Sequence, residues 1–139
     1  MEKSIPVPTF TERAKERLYE AWDAWKPGYE DWIAWSNELY APDALMIAMD
    51  GDTPELFRDY QAKMKHFRDQ FDMKMGVIDR CVAADGVTAH TYKMSMTPKG
   101  QGEDQTIVIP VTEFNHFGIV PGYDKPMVVK LELVTADGV

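Results

Sequence analysis

The sequence predicts an α+β fold, an antiparallel sheet with about three N-terminal helices packed on one of its faces. Three observations predict it. Apolar residues recur at helical spacing as far as Phe67, and the period changes to alternation from Asp72 onward. Helix-start signals stand at Thr9 and Thr53. Ala84-Asp85-Gly86 separates two alternating runs, as a hairpin turn would, because glycine accepts positive φ at little cost.

The elements follow in order. Thr9 and Glu12 form a capping box, in which each side chain satisfies a backbone N–H of the other residue. Phe10, Ala14, Leu18, Trp22 and Trp25 then share one helical face up to the break at Lys26-Pro27-Gly28. A second helix is expected over Tyr29 to Leu39, with Tyr29, Trp32, Ile33 and Leu39 inward. It ends at Ala41-Pro42-Asp43, because a residue before proline is biased away from the α region. Ala44 to Met49 is a short apolar run and reads as a strand, followed by a turn at Asp50-Gly51-Asp52. Thr53 caps a third helix with Pro54 at its first position and Phe57, Tyr60, Met64 and Phe67 as its stripe. Four strands complete the chain: Met73 to Ala83, Val87 to Thr97, Thr106 to Phe117 and Pro126 to Thr135. Polar and turn-prone segments separate the later ones.

Composition narrows the function. At 139 residues and 45% hydrophobic, the chain is expected to form one domain over residues 1–139. The net charge of -8 and scattered Lys and Arg leave no basic stripe for phosphates, so nucleic acid is not an expected partner. The lone Cys81 excludes an internal disulfide, and no Cys/His cluster suggests a metal site. No stretch is long and apolar enough to span a membrane, and the start, MEKSIPVPTF, has no apolar signal core. A cytoplasmic location is the expectation.

The segment NELYAPDALMIAMDG after the second helix and the hairpin AADGVTAHTYKMSMT resemble the nuclear transport factor 2-like superfamily, in its SnoaL-like branch. The resemblance runs from about Phe10 to Thr135 and rests on structural punctuation rather than catalytic signatures. It implies a strongly curved sheet wrapped around the helices to form an open-mouthed cone with a mostly apolar cavity. Polar side chains project into such cavities and act by general acid–base catalysis without metal or organic cofactor. A homodimer paired through the outer sheet faces is also implied. Members include isomerases, dehydratases, cyclases and lyases, and also binding proteins without chemistry, so fold alone does not choose among them.

Candidate residues come from strand faces. Thr88, His90, Tyr92, Met94 and Met96 alternate on one face of their strand. That face either lines a cavity, with His90 and Tyr92 handling a proton and Met94 conforming to a hydrophobic ligand, or lies outside in a dimer contact. The next strand offers Glu113 and Asn115 on one side and Thr112, Phe114 and His116 on the other. Burial would raise the pKa of Glu113 towards a useful acid or base. In the last strand Lys130 is the counterpart of a cation that the resemblance places in the cavity, or it pairs with Glu132 outside. Tyr40 and Asp50 either reach the cavity rim or serve as structural turn residues, and Trp32 is one of four tryptophans whose aromatic mass either builds the core or lines a pocket for a flat ligand. Asp23 and Asp31 lie where some relatives carry an acid and are left unassigned. The expectation is a cofactor-free lyase or isomerase acting on a hydrophobic, aromatic small molecule, with a non-catalytic binding or dimerisation domain as the alternative.

Overall fold

The computed structural model describes residues 9–26, 29–47 and 54–135, except for the side chains of Tyr29 and Thr135. Helix α1 spans Phe10–Asp23 and opens on the expected box, with Glu12 N donating to Thr9 Oγ1 and Thr9 N to Glu12 Oε2, both at 3.1 Å. Its buried face is Ala14, Arg17, Leu18, Ala21 and Trp22; Trp25 lies beyond its end and is half-buried. Arg17 is held inside because its guanidinium donates to the carbonyl of Glu38. Helix α2 spans Tyr29–Leu39 and buries Trp32, Trp35, Ser36 and Leu39. The expected break at Pro27-Gly28 lies outside the described residues.

Strand β1, Tyr40–Ile47, starts earlier than its apolar run suggested. Ala41-Pro42-Asp43 is a register shift rather than a break, absorbed between Tyr40 and Leu45. Proline has no N–H for the ladder, and an irregularity at that point removes the conflict. The short β2, Glu55–Leu56, pairs with β1, so helix α3 begins at Phe57 and ends at Gln70, instead of starting at Pro54. Thr53 and the Asp50-Gly51-Asp52 turn lie outside the described residues.

The expected strand over Met73 to Ala83 is two pieces, β3 (Phe71–Met75) and β4 (Arg80–Ala84), both antiparallel to β5 (Val87–Pro98). Between them Gly76 N donates to Lys93 O and Asp79 N to Thr91 O, each at 2.8 Å. A Cβ on Gly76 would sit 3.2 Å from the Lys93 carbonyl, so glycine allows the edge to bend this closely over its neighbour. The β4–β5 turn has Asp85 at φ 53° and Gly86 at φ 76°, the paired positive values of a tight hairpin. Gly86 is further constrained because a Cβ there would lie 2.7 Å from the Phe10 ring.

Strands β6 (Ile107–Gly118) and β7 (Met127–Thr135) complete a seven-stranded sheet ordered β2-β1-β7-β6-β5-β3, with β4 also on β5. The sheet is curved, unclosed and mixed, since β1 runs parallel to β7. The helices fill its concave side around Leu18, Trp22, Trp35, Leu39, Val128 and Leu131. Trp22 is the hinge of this packing. Its ring meets Trp35, His90 and Tyr92 edge-on at 6.0, 5.2 and 4.6 Å, and its Nε1 donates to Gly76 O at 2.9 Å. No helix among the described residues is long and apolar enough to cross a membrane.

Candidate active site

The antiparallel register of β5 and β6 sets Thr88 opposite Asn115, His90 opposite Glu113 and Tyr92 opposite Val111. All six side chains are buried on the concave face. The choice left open by strand parity is thereby settled in favour of Glu113 and Asn115 over Thr112, Phe114 and His116. Glu113 is the centre. Tyr92 OH donates to its Oε1 at 2.6 Å, while Tyr40 OH and Asn115 Nδ2 reach Oε2 at 3.5 and 3.4 Å. Burial pushes the carboxyl pKa up, and these three donors pull part of the way back. The phenols of Tyr40 and Tyr92 are raised well above their ordinary value by burial and by the nearby carboxylate, and Tyr60 to about 12. All three therefore stay protonated at neutral pH and act as donors.

His90 stands behind the carboxylate. It is fully buried, between Trp22 and the stacked ring of Tyr92 at 5.7 Å. Its Nε2 lies 3.5 Å from Glu113 Oε2 but is misaligned for a hydrogen bond, and neither ring nitrogen has a hydrogen-bond partner among the described residues. Burial lowers its pKa to about 4, so at neutral pH the ring is uncharged and the close contact is not an ion pair.

This inverted histidine gives a pH prediction. Below pH 6.5 the unfolded imidazole takes up a proton that the folded one refuses until about pH 4, so its contribution falls across that window by up to about 3 kcal/mol. Glu113 acts with the opposite sign, because the folded carboxyl holds its proton to higher pH than the unfolded one and gains stability as pH falls. Thermal unfolding at pH 7 and pH 5 should therefore show Glu113→Gln losing more stability on acidification than wild type. A second prediction concerns Thr88, whose buried Oγ1 lacks a hydrogen-bond partner among the described residues. Thr88→Val should raise stability by about 1 kcal/mol, read as a higher Tm, because it removes an unsatisfied hydroxyl at constant shape.

In front of Glu113 is a cavity of about 60 Å³, whose lining includes Tyr92, Tyr40, Tyr60, Trp32, Met94 and Arg68. Tyr40 and Phe57, with rings 4.3 Å apart, also line a more open space of about 390 Å³ shared with Asn37, Arg58, Gln61 and Tyr123. Tyr40, Trp32, Met94, Tyr92 and Glu113 thus face one cavity, with His90 and Asn115 in the layer behind. Lys130 is a correction. Its neighbour Leu131 points inward, so Lys130 is turned to the outer face, where its side chain is 40% exposed and its Nζ lies 3.6 Å from Glu132. Asp50 lies outside the described residues, and Asp23 and Asp31 are exposed.

Sequence reasoning missed two buried polar residues of α3. Gln61 donates to Ser36 Oγ at 2.7 Å and Asn37 Oδ1 at 3.0 Å, and Arg68 lines the cavity. Both fall at helical spacing with Phe57 and Met64, a signal that their polarity masked.

This arrangement of a half-wrapped sheet and three helices has counterparts among solved structures. AclR, a candidate hydroxylase from Streptomyces galilaeus, superposes with a TM-score of 0.66 at 18% identity, covering 90% of each chain. A candidate polyketide cyclase from Xanthomonas campestris pv. campestris gives 0.61 at 18% identity, over 90% of this chain and 91% of the other. A candidate SnoaL-like polyketide cyclase from Jannaschia sp. CCS1 gives 0.58 at 15%, over 98% and 92%. The chain shares the fold of these structures, an α+β cone of three helices and a curved, unclosed sheet. No sequence-family model and no curated protein matches the chain. At these identities the likeness carries the SnoaL-type architecture alone.

Proposed function

We propose that this SnoaL-type protein is a cofactor-independent lyase or isomerase acting on a hydrophobic, aromatic small molecule. The observation that carries the proposal is a buried carboxylate of raised pKa, Glu113, facing a cavity and held by two phenols that remain protonated. Glu113 takes a proton from a carbon next to a carbonyl, or from a hydroxyl. The developing oxyanion accepts a hydrogen bond from Tyr92 or Tyr40, which exchanges its resting partner for the substrate. The proton is then returned at another carbon or to a departing hydroxyl, and loss of a small aldehyde uses the same groups in the reverse-aldol direction. His90 and Asn115 position the carboxylate.

The cavity in its closed form is small. An apolar cavity of about 150 Å³ admits benzene, so a ring enters the 60 Å³ space only when Met75 and Met94 swing or Tyr40 and Phe57 part. The same smallness favours the second reading, a cone filled by its own side chains and serving binding or assembly. Proton exchange separates the two. Acetophenone and 2-indanone incubated in D2O should lose their α-proton NMR signals faster with wild-type protein than in buffer, and Glu113→Gln should return the rate to background. Exchange at the buffer rate for both ketones would leave only the binding reading.

A cytoplasmic homodimer completes the proposal. Val82, Val108 and Val134 are exposed apolar residues of the sheet that a second copy would cover. Light scattering is expected to give twice the chain mass at micromolar concentration.

A further inference from the structure

Helix α3 brings one cation into the cone. Arg68 is only 5% exposed and lines the same cavity as Glu113, Tyr60 and Met75. Its guanidinium carbon lies 5.1 Å from the centroid of Trp32 and 5.7 Å from that of Trp25. Indole faces attract a cation, but they do not accept the in-plane N–H groups of a guanidinium as a carboxylate oxygen does. Nε and Nη1 have no hydrogen-bond partner, and no carboxylate forms an ion pair with Arg68 among the described residues. Glu113, the buried acid of this cavity, is engaged instead by Tyr92, Tyr40 and Asn115.

A buried charge without a counter-ion is costly, and most folds avoid it. Here the cation is fixed in place by two aromatic walls, beside space that a ligand can enter. We propose that Arg68 anchors the ligand, and that the ligand is an aromatic molecule bearing a carboxylate. A carboxylate is planar and compact and matches the guanidinium fork, and with Met75 and Met94 swung aside the ligand's ring would lie against the packed cluster of Trp32, Tyr60 and Phe57, whose own rings meet at centroid distances of 5.7 to 6.3 Å. The charge anchors one end of the molecule while Glu113 and its phenols face the other. This inference rests on reading the cone as a small-molecule site, and it adds the substrate class.

The test compares phenylacetate with its neutral counterpart phenylacetamide, by calorimetric titration and tryptophan fluorescence at pH 7. Wild type should bind phenylacetate at least about tenfold more tightly, as expected for a charge-assisted hydrogen bond to a buried partner. Arg68→Met should abolish the preference, and Arg68→Lys, which keeps the charge without the fork, should retain part of it. Thermal unfolding of each variant checks that the fold survives, and Arg68→Lys keeps the test decisive if Arg68→Met does not fold. Equal affinity for the two probes, no binding of phenylacetate by wild type, or an unchanged preference in a folded Arg68 variant would overturn the proposal. The lyase reading fails separately. Carboxylate preference without α-proton exchange removes the chemistry and keeps Arg68 as anchor, whereas exchange of neutral ketones without that preference does the reverse.

Discussion

Glu113→Gln is expected to lower the rate of the proposed proton transfer by about 10²–10⁴-fold while leaving the fold intact, the range over which a positioned general base acts. The substitution keeps the shape and an acceptor oxygen for Tyr92 but removes the basic atom. Stability should not suffer. An ionised carboxylate buried at 5% exposure is penalised by desolvation, so a neutral amide in its place should leave the protein equally or more stable at pH 7. Wild-type activity should rise with pH through the folded pKa of Glu113, because the base must be deprotonated, and burial places that limb above the ordinary carboxylate range. Steady rates against pH, with circular dichroism of both proteins, check each part. A variant that keeps wild-type exchange would remove Glu113 from the mechanism.

Trp22→Ala should be the most damaging single change to stability, by about 3–5 kcal/mol. Few side chains join as many layers. Its indole packs against Trp35 of α2 and against His90 and Tyr92 of β5, and its N–H holds the carbonyl at the bend between β3 and β4. Truncation opens a cavity and leaves that carbonyl to solvent, so both the transfer and the cavity penalties apply. Urea and thermal unfolding give the loss. Trp22→Phe should cost less, since the ring volume is partly kept and only the hydrogen bond to Gly76 disappears.

Much of this architecture was legible because it rests on local signals. The Thr9–Glu12 box, the Asp85-Gly86 hairpin and the shared strand face of Thr88, His90 and Tyr92 each follow from spacing of a few residues, whereas only the fold turns that face inward. The parallel pairing of β1 with β7 was not legible, because it joins strands from opposite ends of the chain, while local turn rules only yield antiparallel neighbours. Lys130 was open to misplacement for a related reason. The β6–β7 ladder shifts register between His116 and Phe117, so parity counted from one end of β7 does not carry to the other. The resemblance raised a cavity cation at Lys130, whereas the cation facing the cavity is Arg68, on a helix where a charged residue reads by default as solvated.

The central claim is that the cone holds a carboxyl poised for proton transfer, and titrating it is the most direct test. Protein labelled with ¹³C at the glutamate side-chain carboxyl carbon, with the Glu113 signal assigned by its loss in Glu113→Gln, gives the midpoint directly. The expected midpoint lies above the ordinary value of 4.5, and higher still in Tyr92→Phe, where a hydrogen bond that favours the charged form is gone. A midpoint at or below the ordinary value, unmoved by Tyr92→Phe, would contradict the buried acid–base site on which the functional reading depends.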